Sequence, residues 1–150
     1  MKAGKCLLLL MALAGGCTSA IAQTAKYPAK VWYELKRNLK KETELIFHLE
    51  LDRGWHVRIL DEGDTVFRSP EFTFNRSEEF ALVGDMKQEG IREKVTIDSV
   101  KYDVYSYKVL YKQQVEAKPG TRISGRYLYQ VCNSEQCLAV KKEKFAFVVK

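Results

Sequence analysis

The chain has 150 residues, of which 46% are hydrophobic and 29% are charged, and its formal net charge is +6. This length suits one domain with its own hydrophobic core. The positive charge is spread along the chain without a basic patch interleaved with aromatic residues, which argues against a nucleic-acid-binding protein.

The N-terminal segment has the order of a secretory signal peptide. Lys2 and Lys5 form a short basic region, residues 6–14 are apolar, and Ala20-Ile21-Ala22 supplies the small residues of a cleavage site. The apolar run is too short to span a bilayer, and no later stretch is apolar enough to do so. The sequence therefore predicts a cleaved signal peptide over residues 1–22.

A second interpretation of the same segment is a lipoprotein signal. Gly15-Gly16-Cys17 would then be a lipoprotein box with Cys17 as the lipidated residue, although Ala14 stands where leucine is usual. Either interpretation predicts an exported domain over residues 23–150, with a formal charge of +4 once both leader lysines are removed. Export to the periplasm would place the domain where disulfides persist.

Apolar and polar residues alternate through most of the mature chain, as is typical of strands with one buried face. Turn-forming residues separate the alternating runs, and no long segment has apolar residues at helical spacing. Residues 85–99 are the least patterned and are predicted to form a long loop or an irregular edge. The alternating runs lie at residues 31–35, 45–51, 55–59, 72–74, 105–111, 127–131 and 145–149.

Seven or eight short strands without a convincing helix predict an all-β fold, an immunoglobulin-like two-sheet β-sandwich. The parity of the alternation also predicts which side chains lie between the sheets. These predicted core residues are Tyr33, Phe47, Leu49, Trp55, Val57, Tyr129 and Phe147.

Cys132 and Cys137 are the only cysteines outside the N-terminal leader. Residues 133–136 are predicted to form a turn, and two cysteines that flank a tight hairpin can reach disulfide distance. Closing so short a loop stabilises the fold by only roughly 2 kcal/mol. A disulfide at the solvent end of a hairpin is also open to attack by another thiolate. The residues themselves leave two interpretations open, a structural disulfide and an exchanging pair.

Other chemistries have weaker support in the sequence. A zinc site needs three or four ligands, and only His48 and His56 could join the two cysteines. Both histidines have outward strand parity and are predicted to be exposed surface residues. No papain-like arrangement, phosphate-binding loop or serine elbow is present. No cofactor or metal is therefore predicted, and no histidine or lysine beside the cysteines is expected to depress a thiol pKa.

Three blocks of the sequence together resemble a known family. They are Pro28–Trp32, Phe47–Val57 with its Gly-Trp-His motif, and Gly125–Cys132 followed by Cys137-Leu138. In this order they resemble the N-terminal periplasmic domain of DsbD, the thiol:disulfide interchange protein, also called the disulfide bond corrector domain. The resemblance covers nearly the whole mature chain.

The resemblance implies an immunoglobulin-like sandwich whose cysteine pair relays electrons. Cys132 and Cys137 match the family's redox pair, and the first of them would be reached by the partner's thiol. The implied partners are a membrane-embedded thiol transporter and thioredoxin-like periplasmic proteins. The chain would then be a component of a protein-disulfide reductase. Because it ends at Lys150 without a membrane domain or a thioredoxin domain, these partners are expected in trans.

Two departures from the family pattern leave a second function open. Ala139-Val140 follow Leu138 where the family often has two prolines, and the Phe-Gly context of the family's protective cap loop is missing from residues 95–102. The alternative is a non-catalytic binding or adaptor sandwich with a structural disulfide. A reduction potential near the glutathione range would favour the relay, and one far below about −300 mV would favour the structural disulfide.

We expect export to be accompanied by cleavage after Ala22, because this position completes the pattern of small residues. The mature protein would then begin at Gln23. Intact-mass measurement of the exported protein tests this, and a diacylglycerol-modified Cys17 would contradict it.

Overall fold

The computed structural model describes residues 26–37, 42–63 and 65–150. The predicted signal peptide, Cys17 and the cleavage site after Ala22 lie outside the described residues. The described part of the chain forms nine β-strands. They are β1 (Ala29–Arg37), β2 (Thr43–Leu51), β3 (His56–Arg58), β4 (Glu71–Phe74), β5 (Phe80–Ile97), β6 (Val100–Ala117), β7 (Arg122–Tyr129), β8 (Val131–Cys132) and β9 (Lys141–Val148).

The strands form two antiparallel sheets. The larger sheet has the order β1-β2-β6-β3-β8, with β5 paired to β6, and the smaller sheet has the order β4-β7-β9. The predicted all-β fold, an immunoglobulin-like two-sheet sandwich, is thus confirmed. Within the described ranges, we find no helix of the length and apolar character that would cross a membrane.

Aromatic side chains from both sheets fill the core. Phe47 of β2 is fully buried, and its ring centroid lies 4.9 Å from that of Phe72, 4.8 Å from Phe145 and 5.4 Å from Phe147. Edge-to-face and tilted ring pairs of this kind add to the free energy gained by burying apolar area. The ring of Phe47 therefore joins β2 to two strands of the second sheet, β4 and β9.

Most of the predicted core residues are buried, but Tyr33 is not. Its side chain is 43% exposed, and Trp55 is only partly buried. Tyr33 has inward parity and its ring reaches that of Phe147. However, β1 is the edge strand of its sheet, so no further strand covers its outer side. The prediction of Tyr33 as a buried residue is wrong because parity alone does not reveal which strand lies at the edge.

Of the two alternatives predicted for residues 85–99, a long loop or an irregular edge, the structure has the irregular edge, because this stretch belongs to a strand that, within the described ranges, pairs only with β6 and whose register shifts twice. Phe80–Ile97 forms β5, an 18-residue strand that pairs with β6 in a long hairpin. Most of its side chains are exposed, so the strand has little apolar alternation in its sequence. The strand is held by backbone pairing with β6, and such pairing leaves no apolar pattern in the sequence of the kind that burial of one face would leave.

An irregularity near the middle of this hairpin determines which strands pair with β6. The register shifts between Glu89 and Ile91, and Gly90 has a φ of 154°. A Cβ atom on Gly90 would lie 2.7 Å from the Lys108 carbonyl oxygen, so glycine permits the close approach. On the facing strand Tyr107 has a φ of 65°, which is unusual for a residue with a side chain.

Strand β6 exchanges neighbours at this bulge. Residues after Tyr107 pair with β2, and residues before it pair with the short strand β3. Strand β3 in turn pairs with β8, which contains Cys132. The bulge therefore positions the site by bringing β3 between β6 and the cysteine hairpin.

We expect Phe147→Ala to lower the free energy of unfolding by about 3–5 kcal/mol, because it removes a ring that is 5% exposed from the aromatic core. The neighbouring variant Val148→Ala is the matched control, since Val148 is 54% exposed on the other face of β9. It should cost under about 1 kcal/mol. Urea unfolding of both variants measures the difference, and equal losses would contradict the assigned core.

Candidate functional site at the Cys132–Cys137 disulfide

Cys132 and Cys137 are joined by a disulfide across a tight hairpin. Their Cα atoms are 4.0 Å apart, and the two residues form an antiparallel bridge. The turn between them is closed by a hydrogen bond from the Asn133 amide to the Gln136 carbonyl, at 2.9 Å. The Asn133 side-chain oxygen accepts bonds from the amides of Glu135 and Gln136. The predicted turn at residues 133–136 is thus held by hydrogen bonds within the turn, as is usual for turns that begin with asparagine.

The two sulfur-bearing residues differ in exposure. Cys132 is fully buried, whereas Cys137 is partly exposed. The resemblance implied that the first cysteine would be the one reached by a partner's thiol. The burial favours Cys137 instead, because an attacking thiolate must reach the sulfur along the S–S axis.

A small apolar cluster covers Cys132 on the outer face of the larger sheet. Phe67, at 0% exposure, comes from the loop after β3, and Tyr102 comes from the β5–β6 hairpin. Their rings pack edge to face with centroids 5.5 Å apart. Ile97 and Val104 complete the cluster. Residues 95–102 therefore do contribute to covering the disulfide, although they lack the phenylalanine-glycine pair of the resembled family.

A buried arginine holds the Phe67 loop in place. Arg58 is 4% exposed, and its Nη1 donates hydrogen bonds to the Gly63 carbonyl, the Thr65 hydroxyl and the Phe67 carbonyl at 3.1, 2.8 and 2.9 Å. Its Nη2 donates to the carbonyl and carboxylate oxygens of Glu62. The planar guanidinium suits such a set of acceptors, because its donors are fixed in a fork. The same group lies 5.3 Å from the centroid of the Tyr102 ring.

Gln130 links this loop to the cysteine hairpin. Its side-chain oxygen accepts a hydrogen bond from the Arg68 amide at 2.7 Å, and its side-chain nitrogen donates to the Leu138 carbonyl at 3.0 Å. Gln130 is 8% exposed, so these bonds are shielded from water. The loop that carries Phe67 and the strand ends that carry the cysteines are thereby held together.

Both histidines differ from the prediction of exposed surface residues. The side chains of His48 and His56 are only 19% and 15% exposed. His48 stacks on Trp32 with ring centroids 4.8 Å apart and contacts Glu34. Among the described residues, no cluster of three or more metal-ligating side chains is found.

His56 lies at the site, although the sequence did not predict it there. It is in register with Cys132 on one side and with Ser106 on the other. Directly opposed residues of an antiparallel pair have their side chains on the same face. The expectation that no histidine neighbours the cysteines is therefore wrong in three dimensions. No local pattern in the sequence links His56 to Cys132, because their residue numbers differ by 76.

The comparisons with known proteins concern the fold. No protein-family model matches the sequence, and the search of curated proteins gives no significant match. Among solved structures, the N-terminal periplasmic domain of ScsB from Proteus mirabilis is similar, with a TM-score of 0.61 and 14% identity over 86% of this chain and 49% of that chain. This chain thus spans about half the length of that structure.

A second similar structure is the Neisseria meningitidis DsbD N-terminal domain in the reduced form. Its TM-score is 0.55 and its identity 11%, over 77% of this chain and 82% of that chain. At these identities the likeness concerns the fold. The chain has the fold of a DsbD-like N-terminal domain.

We expect Arg58→Lys to make the disulfide easier to reduce, because lysine cannot replace the fork that holds the loop over Cys132. Opening the loop would give dithiothreitol a second point of attack at Cys132 beside Cys137, and each loss of about 1.4 kcal/mol from the closed loop would speed that second route roughly tenfold. Arg92→Lys is the matched control, since Arg92 is an exposed arginine of β5 that pairs with Asp103. Equal reduction rates in the two variants would contradict a role of Arg58 in covering the disulfide.

Proposed function

We propose that this domain is a periplasmic thiol–disulfide interchange module that relays electrons through Cys132 and Cys137. The observation that carries the proposal is the disulfide itself. It closes a short hairpin, it has one buried and one partly exposed cysteine, and it lies on the fold of a DsbD-like N-terminal domain. The disulfide closes a short loop and so contributes little stability. A role in thiol–disulfide exchange therefore explains the cysteine pair better than a structural role does.

The asymmetry of the pair supports a definite order of attack. A partner thiolate attacks the Cys137 sulfur, a new S–S bond forms to Cys137, and the Cys132 sulfur leaves with the electron pair of the broken bond. A second thiol of the partner then attacks the mixed disulfide and releases Cys137. The partner is oxidised to a disulfide and the domain is reduced to a dithiol, with two electrons transferred. Every step is reversible, so the same geometry serves either direction of flow.

Partners and location follow from the same proposal. Thioredoxin-like proteins have the exposed dithiol that the attack at Cys137 requires. A membrane thiol transporter would act as the other partner. The predicted signal peptide supports a periplasmic location, and the similar ScsB domain is a periplasmic one. A lipid at Cys17 would place the domain at a membrane surface.

One observation favours a second candidate, a binding or adaptor sandwich with a structural disulfide. Cys132 is fully buried beneath Phe67 and Tyr102, as structural cysteines usually are. The two functions differ in whether the disulfide can be reduced by a thioredoxin system while the fold persists.

We expect Cys132→Ser to form a mixed disulfide through Cys137 with a thioredoxin whose resolving cysteine is replaced by serine and whose remaining cysteine carries thionitrobenzoate as a mixed disulfide, so that the Cys137 thiolate displaces thionitrobenzoate. The reciprocal variant Cys137→Ser should trap several-fold less, because the remaining thiol is buried. Both variants should stay folded, since the short loop contributes roughly 2 kcal/mol. Intact-mass spectrometry counts the adducts, and thermal unfolding checks the fold.

Three results would defeat the relay. They are unfolding of both cysteine variants, a wild-type disulfide that thioredoxin leaves oxidised, and a reduction potential far below about −300 mV. Together they would establish the structural disulfide. Equal trapping by the two variants would retain exchange and contradict the order of attack.

A further inference from the structure

Three side chains form a row across adjacent strands beside the disulfide. Ser106 of β6 is in register with His56 of β3, and His56 is in register with Cys132 of β8. All three therefore project from the same face of the larger sheet, and the imidazole lies between the hydroxyl and the sulfur-bearing residue.

The hydrogen bonds of this row determine the tautomer of His56. The Ser106 hydroxyl donates a hydrogen bond to the Glu93 carboxylate, which can only accept when it is ionised. Nδ1 of His56 lies 2.7 Å from the same hydroxyl oxygen. Because the hydroxyl proton is already used, Nδ1 must carry a proton and donate it to Ser106. Nε2 is then left with its lone pair free to accept a proton.

The charged groups around His56 are few. The cleft of about 210 Å³ beside it is lined by Glu93 of β5, Asp52 and Arg53 of the loop before β3, and Tyr107 of β6. Glu93 is the nearest carboxylate, with an oxygen 3.7 Å from Nδ1. On its own strand the next residue of the same parity is Arg58, whose guanidinium is engaged by the Phe67 loop.

Burial keeps the imidazole ready to act as a base. It lowers the pKa of His56, and the Glu93 carboxylate opposes that effect. The ring is therefore neutral at neutral pH. When it accepts a proton at Nε2, the positive charge is stabilised by Glu93 through the Ser106 hydroxyl.

We propose that His56 is the proton acceptor for the Cys132 thiol, and that Ser106 and Glu93 are positioning residues that fix its tautomer. The inference rests on the proposed exchange at Cys137 and adds to it the residue that activates the buried cysteine. Nothing else among the described residues lies in register with Cys132 and carries a free basic nitrogen.

The step concerns the resolution of a mixed disulfide at Cys137 by reduced Cys132. The Cys132 S–H bond breaks and its proton moves to Nε2 of His56. The Cys132 thiolate then attacks the Cys137 sulfur, the Cys132–Cys137 bond forms, and the bond from Cys137 to the partner breaks. The partner's sulfur leaves as a thiolate with the electron pair and takes up a proton, and His56 returns its own proton to solvent. In the reverse direction the imidazolium protonates the departing Cys132 thiolate.

Ellman's reagent separates this step from recognition of a protein partner. The reduced domain should react in two phases. A bimolecular phase forms a mixed disulfide at Cys137 and releases one thionitrobenzoate, and a concentration-independent phase releases a second as Cys132 resolves it. The variants to compare are His56→Phe, His56→Gln and Glu93→Gln. His48→Phe is the matched control, because His48 is also a half-buried histidine that contacts a carboxylate.

We expect both His56 variants to slow the second phase at neutral pH and to leave the first phase unchanged. The pH profile of the second phase should move to higher pH, toward the ionisation of an unassisted thiol near pH 8.5 or above. Each pH unit of that shift is roughly a tenfold loss of rate at neutral pH. Glu93→Gln should give a smaller shift in the same direction, and His48→Phe should give none.

The possible results are distinct. An unchanged second phase and pH profile in folded His56 variants would overturn the inference. If those variants fail to fold, Glu93→Gln becomes the deciding variant. The Glu93 side chain is 42% exposed, so its replacement should leave the protein folded. An unshifted profile in Glu93→Gln would then overturn it. If the second phase responds to His56 but no thioredoxin-like protein exchanges with the wild type, the proposed function fails and the role of His56 stands.

Discussion

The pairing of β3 between β6 and β8 is the constraint on which the rest of the site depends. β3 has only three residues, His56–Arg58, and each contributes to a different part of the molecule. Val57 is fully buried in the main core, so its side chain points between the two sheets and holds β3 in the larger sheet. The residues on either side of it therefore face the outside of the larger sheet. There His56 meets the cysteine hairpin and Arg58 meets the loop that covers it.

Arg58 shows how a buried charge organises a covering loop. An isolated guanidinium would be costly to remove from water, so its position is stable only while its donors are satisfied. Three carbonyl groups of residues 62–67, the Thr65 hydroxyl and the Glu62 carboxylate supply five acceptor contacts to the two terminal nitrogens, and among the described residues Nε alone is left without a partner. Opening the loop would leave the cation without these partners. The closed position of Phe67 over Cys132 is therefore coupled to the hydrogen bonds that the Arg58 guanidinium donates to this loop.

The two sides of the disulfide have different surroundings. The Phe67 loop and the hairpin tip at Ile97 and Tyr102 make an apolar cover over Cys132. Beside the same residue, the Ser106–His56 row leads to a polar cleft that is open to solvent. An apolar cover disfavours a buried thiolate, because burial raises the pKa of a thiol. The proposed role of His56, whose strand pairs with that of Cys132, would offset this cost and would allow a buried cysteine to remain protected and still react.

The sequence by itself determined the local features of this protein. Alternation of apolar and polar residues is a direct consequence of the two faces of a strand, so β2, β7 and β9 could be predicted with their buried faces. The turn after Cys132 could be predicted as well, because asparagine and serine favour tight turns and the two cysteines are close in sequence. The all-β sandwich and the disulfide follow from such short-range patterns.

Tertiary structure alone decided which distant residues meet. The sequence predicted β5 only as a long loop or an irregular edge, because its side chains are mostly exposed and its order comes from pairing with β6. Tyr33 was misplaced because an edge strand has the same alternation as a central one. His56 reaches Cys132 only through the register of β3 with β8, and Ser106 reaches His56 only through the bulge at Tyr107. Register between strands is set by contacts across the whole sandwich, so no local pattern in this chain could have placed His56 beside Cys132.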